Sequence, residues 1–323
     1  MKNILYLFIL ASFFSNCGNE VKNKDAKVEV EQGTEISSTD QSAKEEEEIP
    51  EQPQTTTDDL LGFWVGNFAP DNGEEDKALI IDEGYIWSRT NKINISIDKI
   101  IDSKVVGHSV VAGNDRPFEG TIEKLDNPER YFFQVKEPGD NKYDGEFSFT
   151  IFIAETNLVG KWTAYKNIEI KNRKYILNPK KFTYNPDIML EDSKRYINWN
   201  KKIEKKERME YDDNEVEEWI SNEFATATNL SYEINASNRL LTKSEVENLK
   251  KGDLTIIRNC IYARHGYSFK NRPLRVFFDA QTWYIPVHAN IKNDFTEIEK
   301  QNIKLLLRYE KNAAEYYDSF GRG

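Results

Sequence analysis

Cysteine and histidine are scarce in this chain, with two of the first and three of the second in 323 residues. Two cysteines cannot build the disulfide framework that staples small exported domains, so stability must come from buried cores, and the length is enough for two. His108, His265 and His288 fall in separate segments without ligand spacing for zinc. There is no HExxH, no GxSxG and no glycine-rich phosphate loop. These absences remove the common signatures of metallopeptidases, serine hydrolases and nucleotide-binding enzymes, and neither metal nor cofactor is expected. Long apolar runs are missing too. Ile4 to Phe14 is an eleven-residue stretch with Ser12 as its one polar member, too short for the roughly 20 residues that span a bilayer.

What stands at the start of the chain is a leader. Lys2 is a short positive n-region, the apolar stretch follows, and Ser15-Asn16-Cys17 closes it. This is the layout of a secretory signal peptide. A cysteine directly after the apolar stretch resembles the lipobox of bacterial lipoproteins. That resemblance implies lipidation of Cys17 on its thiol, removal of residues 1–16 and a membrane anchor. The bacterial cell envelope is then the expected location, at the outer membrane or cell surface rather than the inner membrane. Residues 17–57 read as a disordered acidic tether. From 18 to 57 there are 11 acidic and 4 basic residues and no aromatic, too little apolar surface to offset the entropy of ordering. Most of the net charge of −11 resides there.

Residues 58–190 read as strands. "KINISIDKII" alternates at Ile93, Ile95 and Ile97, and "YFFQV", "FSFTIFIA" and "RKYILNPKKFTY" follow, separated by turns such as Pro138-Gly139-Asp140-Asn141. Short strands at regular spacing point to an antiparallel β-barrel or sandwich. Leu60-Leu61-Gly62-Phe63-Trp64 is echoed by Leu158-Val159-Gly160-Lys161-Trp162. The Gly-x-Trp element is similar to the opening of lipocalin-like barrels, which implies either a cavity for an apolar ligand or an interior filled by the protein's own rings. Residues 191–236 read as a connector with one helix, capped by Asn214 and carrying Val216, Trp219, Ile220 and Phe224 at helical spacing.

From 237 to 315 a small, mostly α-helical domain is expected, so the fold class is α+β with two folded regions. Thr242-Lys243-Ser244-Glu245 and Thr296-Glu297-Ile298-Glu299 are capping boxes. Between them, Leu254, Ile256, Ile257, Cys260, Ile261 and Ala263 give one helix a broad apolar face, and Gly266 is a natural C′ residue. "RNCIYARHGYSF" from Arg258, then "LRVFF", "WYIP" and a Glu299-to-Ile303 helix resemble the YARHG domain, named for Tyr262-Ala263-Arg264-His265-Gly266. The resemblance implies an extracytoplasmic module of bacterial lipoproteins and some peptidases, and no established activity.

The chemistry of that strip has to be read from its residues. At 100° per residue Arg258, Tyr262 and His265 share one polar stripe roughly 60° wide. Arg264 falls on the apolar face, where an unpaired charge is costly. A structural salt bridge to Asp279, Glu245, Glu299 or Glu310 is expected for it. Between Leu254 and Phe278 there is no acidic residue. Arg258, Tyr262, His265, Lys270, Arg272 and Arg275, with Trp283 and Tyr284 to stack on a sugar or peptide, form the candidate ligand surface. Its expected partner is anionic: peptidoglycan carboxylates, lipid head groups or an acidic envelope protein. The packing alternative pairs these cations with the acids of the last helix. Nucleic acid is not expected, because aromatic interleaving is sparse. Cys260 lies about 140° from His265 and forms no thiolate pair with it. The expected function is non-catalytic binding at the envelope. A lipid carrier built on the barrel and a cell-wall hydrolase using His265 are the alternatives.

Overall fold

The computed structural model describes residues 57–71, 73, 79–82, 85–192, 197–212, 215–291 and 293–313. Residues 1–56, on which the expected leader, Cys17 and nearly all of the expected tether fall, lie outside these. No helix among the described residues is long and apolar enough to cross a membrane.

The strand-rich region closes into an eight-stranded antiparallel barrel. In chain order its strands are β1 (Gly62–Pro70), β4 (Asn91–Ile101), β5 (Lys104–Val111), β6 (Asn114–Asp126), β7 (Glu129–Lys136), β8 (Gly145–Phe152), β9 (Asn157–Ala164) and β10 (Asn172–Lys180). Each pairs with the next, and β10 closes onto β1 through Phe63↔Lys180 to Pro70↔Arg173. A separate hairpin of β2 (Leu79–Asp82) and β3 (Tyr85–Ser88) is inserted between β1 and β4. Alternation drives the closure. In β8, Gly145, Phe147, Phe149 and Ile151 point inward while the residues between them are half-buried. The interior is packed with rings: Phe133 stacks on Phe149 at 4.6 Å, and Phe68 meets Trp162 at 5.6 Å and Tyr175 at 5.9 Å. Trp64 belongs to the same core, and its indole N–H donates to the Leu60 carbonyl at 3.0 Å. Of the two barrel alternatives, the interior filled by its own aromatic side chains is the one observed.

The connector departs from expectation. Residues 216–226 form a strand, β12 (Val216–Thr226), paired with β11 (Ile197–Glu210) in a long hairpin. Asn214, the expected cap, lies outside the described residues. Val216, Trp219 and Ile220 do recur at helical spacing, but no neighbour covers a helical face there, and all three are exposed. With β-branched and aromatic residues on one strand and a long partner beside it, the ladder supplies the backbone bonds that an unpacked helix would have to make alone.

The barrel strands end at Lys180, and residues 181–192 run on as an irregular strap across the helical region. There, α1 (Lys243–Val246), α3 (Arg272–Asp279) and α4 (Glu297–Asn312) start at the expected caps Thr242, Asn271 and Thr296, whereas α1 stops before the expected Leu249 and α2 (Lys251–Arg264) is capped by Lys250, with Gly252 and the expected cap Asp253 inside its first turn. Thr242 N–H donates to Glu245 at 2.7 Å, and Thr296 caps α4 reciprocally with Glu299. The α2 helix is central. Ile256, Cys260 and Ala263 pack with Phe269, Phe277, Phe278 and Tyr284, while Leu254, Ile257 and Ile261 pack with Leu241, Val246 and Leu306. Being buried on two sides, it has no clean polar face.

Barrel and helices adhere to one another. Successive residues Trp64 and Val65 of β1 are both buried, because Trp64 enters the barrel and Val65 packs outside it on Ile285 and Val287. The β5–β6 turn, Ala112-Gly113, takes positive φ at both residues (53° and 76°). It brings the Gly113 amide to the Ser268 hydroxyl at 2.8 Å. A Cβ at Gly113 would lie 2.9 Å from the Lys270 backbone nitrogen, so glycine also permits the close approach. Lys92 of β4 donates its amide to Asp279 at 2.8 Å and its ammonium to the carbonyls of Gln281 and Tyr284 at 2.6 and 3.1 Å.

Candidate functional site

The polar stripe of α2 is taken apart by the fold. Arg258 pairs with Glu310 of α4, Nε to Oε2 at 2.7 Å and a second nitrogen to Oε1 at 3.1 Å. Tyr262 sits half-buried between Tyr267 and Phe295. His265 is buried, its Nε2 2.8 Å from Glu299 Oε2, and the Tyr184 ring stacks on it at 4.3 Å. Tyr184 donates its hydroxyl to the other oxygen of Glu299 at 3.0 Å. Burial by itself would raise the Glu299 carboxyl, but hydrogen bonds from His265, the Thr296 amide and Ser237 outweigh it and hold it below the usual value. Tyr284 is a core residue whose hydroxyl donates to the Tyr267 carbonyl at 2.7 Å. Trp283 lines a small pocket of about 250 Å³ with Phe182 and Ile188.

Arg264 is buried as expected, but its partner is not a carboxylate. Nε and one terminal nitrogen donate to the Ile188 carbonyl at 2.9 and 2.6 Å, and the other terminal nitrogen donates to Ser237 Oγ at 3.1 Å. No ion pair to Arg264 occurs among the described residues. The four candidate acids are engaged elsewhere: Glu310 with Arg258, Glu299 with His265, Glu245 with Arg239, and Asp279 with the Lys92 amide. The strap residue Ile188 offers two lone pairs to one guanidinium, a geometry that sequence spacing cannot disclose.

Three members of the predicted surface do converge. Lys270, Arg272 and Arg275 line a cavity of about 1100 Å³ between α3 and one end of the barrel. Its barrel wall is formed at the ends of β1, β5, β7 and β9 and the starts of β4, β6, β8 and β10, which up-and-down connectivity gathers at one rim. Eight Lys or Arg residues and only three Asp or Glu line it, over a floor that includes Phe68, Phe147 and Trp162. Arg116 is bound by Asp144 (2.9 and 2.8 Å) and by Asp140, and Arg89 by Glu169. Arg173 donates to the carbonyls of Phe68 and Arg89 at 2.9 and 3.1 Å. Lys142, Lys166 and Lys270 have no acidic partner among the described residues. The result is a cleft with an excess of fixed positive charge above a buried aromatic floor, suited to an anion.

The acids of this rim behave differently from one another. Glu137 is buried, and burial pushes it up to about 7, against hydrogen bonds from the Gly145 amide (2.7 Å), Ser109 (2.9 Å) and Trp162 (3.4 Å). For Asp144, burial also acts upward, but Arg116 and the Asn141 and Gly139 amides prevail and hold it below its ordinary value. Burial lowers the Arg275 guanidinium, with Arg272 adding to the effect and Asp279 opposing it. No group of three or more His, Cys, Asp or Glu that could hold a metal occurs among the described residues. Cys260 is a buried free thiol, raised by its apolar surroundings.

Sequence reasoning missed the barrel's share of the cleft: Arg89, Arg116, Arg173 and Glu169. The available signal was parity. Cations at the start of one strand and the end of the strand before it share a rim once the meander is assumed, but which rim faces the helices is a tertiary fact. Residues 228–311 match the YARHG domain family. No curated protein and no solved structure matches the chain. The match begins at Thr228, before the expected start at 237. The structure accounts for this, since the Thr228 amide and hydroxyl both donate to Asp253 in the first turn of α2.

Proposed function

We propose that this YARHG-bearing chain is a lipid-anchored binding protein of the bacterial cell envelope. Acylated Cys17 holds it at the outer membrane or cell surface, the acidic tether spaces it from the membrane, and the folded part captures an anionic envelope component without turning it over. The observation that carries the reading is the cation-lined cleft between α3 and the barrel rim. It moves the binding surface from the α2 stripe to Lys270, Arg272 and Arg275 together with barrel arginines. Peptidoglycan, through its carboxylates, and an acidic envelope protein are the candidate partners. The hydrolase alternative loses support because His265, its proposed acid–base, is enclosed by Glu299, Tyr184 and Phe295. The carrier alternative loses support because stacked rings occupy the barrel interior.

Residues 18–323, freed of the anchor, should sediment with purified peptidoglycan at low salt and be released at high salt. Lys270→Glu/Arg272→Glu should not sediment. Failure to bind sacculi or any extracted envelope fraction at low salt would sink the reading. Anchoring is checked separately by labelled palmitate, which should enter the full chain and not Cys17→Ala.

A further inference from the structure

Within the cleft one acidic side chain occupies a telling position. Glu169, on the β9–β10 loop, is ion-paired with Arg89 and is itself largely exposed, with 64% of its side chain accessible against 18% for Arg89. The Arg89 hydrogen bond is the main influence holding Glu169 below the usual carboxylate value, and Arg272, across the cleft on α3, contributes in the same direction. An exposed carboxylate therefore lies in the field of two guanidiniums, one carried by the barrel and one by α3. The cleft around them keeps its cation excess, and Lys270 and Lys166 stand near with no acidic partner among the described residues. The Nε–H groups of Arg89 and Arg275 are buried without an acceptor among the described residues, an unusual cost for a guanidinium donor.

Charge excess and size restrict what could replace that carboxylate. A single carboxylate ligand would only repeat what Glu169 already supplies. A dianionic group with three acceptor oxygens would use donors from both walls at once. At about 1100 Å³ the cavity is much larger than a bare phosphate and of the size that holds a small organic ligand. Phe68, Phe147 and Trp162 close the floor beneath the cavity and pack on one another at 5.6–6.4 Å.

We infer that the cleft receives a compact phosphate ester of a sugar or glycerol unit, the phosphate displacing Glu169 from between Arg89 and Arg272 and the body of the ester occupying the rest of the cavity. Glu169 is then a built-in competitor that occupies the anion position until ligand arrives. The inference rests on reading the cleft as the binding site, and it names the ligand chemistry there.

The test is calorimetric titration of residues 18–323 with glycerol 3-phosphate, glucose 1-phosphate and inorganic phosphate. At least one ester should bind more tightly than inorganic phosphate. Arg272→Ala should weaken that binding about tenfold, the loss of one good charge-assisted contact. Glu169→Gln should strengthen it several-fold, a gain that no merely structural role predicts. Both side chains are on the surface, and circular dichroism confirms that the variants fold. Glu169→Gln binding no tighter than the wild type, malonate binding as well as the esters, or phosphatidylglycerol vesicles captured in preference to both esters would each overturn the inference. If no phosphate compound binds but sacculi are retained through Arg272, this ligand assignment is wrong and the envelope-binding reading stands. If neither is bound, both fall.

Discussion

The barrel and the helical region keep their interiors in opposite ways. The barrel buries rings and aliphatics, with its polar groups confined mostly to the rim. The helical region buries a polar network: Arg264 to Ile188 and Ser237, His265 and Tyr184 to Glu299, Asn302 to the carbonyls of Ala236 and Arg239 at 2.8 and 2.7 Å. Dispersion and hydrophobic burial are non-directional, so a barrel core accepts any rings of adequate volume. Hydrogen bonds are directional and expensive to leave unmade, so the helical region has one arrangement that satisfies it. The five letters of its motif are accordingly structural. Tyr262 and Ala263 pack, Arg264 and His265 anchor the network, and Gly266 takes φ of 70° and accepts the amides of Val287 and His288 at 2.7 and 3.0 Å. The conspicuous residues hold the domain together, and the less conspicuous basic residues after them reach the cleft.

Glu299→Ala attacks this contrast most directly. It strips acceptors from His265, Tyr184 and the Thr296 amide, and should cost about 3–5 kcal/mol in urea unfolding, since several buried donors are left unsatisfied at once. Arg264→Lys should cost about 2 kcal/mol, because one ammonium cannot reproduce the fork held by Ile188 and Ser237. A loss below about 0.5 kcal/mol would show that the network is ornamental and would erase the distinction between the two interiors. The third prediction concerns pH. Glu137 is raised above its ordinary 4.5 to about 7 by burial, so the neutral form is the one the fold favours. Its contribution is fully present below the ordinary value and is lost as pH rises through about 7. Wild-type stability should fall between pH 5 and 8, and Glu137→Gln should remove about 2 kcal/mol of that fall. An unchanged pH profile in the variant would place the titration elsewhere. Next, Phe149→Leu in the barrel should cost only about 1 kcal/mol, since an apolar core absorbs shape changes. A loss as large as that of Glu299→Ala would mean that the ring stack is as exacting as the polar network. Smallest of all, Arg272→Ala should move stability by less than about 0.5 kcal/mol, separating the cleft's cations from the network that folds the domain.

Particular elements show why some of this was readable and some was not. β8 could be found because its alternation has the period of a strand, and α4 because Thr296 and Glu299 satisfy each other's amides within four residues. Both are local in cause. The segment from Val216 to Phe224 misled because its apolar spacing suits a helix, while the outcome depended on β11 pairing with it. Arg264 was recognised as buried from its place on α2, but its acceptor is a carbonyl on a strap 76 residues away, and a backbone carbonyl carries no mark in the amino-acid code. Arg258 and Arg272 look alike in the sequence. One pairs with Glu310 of α4 and the other lines the cleft, a difference made by the elements that lie beside each.

Read alone, the amino-acid order determined the strand and helix periodicities, the capping boxes and the positive-φ glycine after α2, because each has a cause acting over a few residues. The acidic excess of residues 18–57 is likewise a matter of composition. Only the tertiary structure decided which cations line the cleft, which rim of the barrel faces α3, and that Glu299 contacts His265. Those outcomes depend on distances between elements far apart in the chain, and charge pairing follows distance in space rather than separation in sequence.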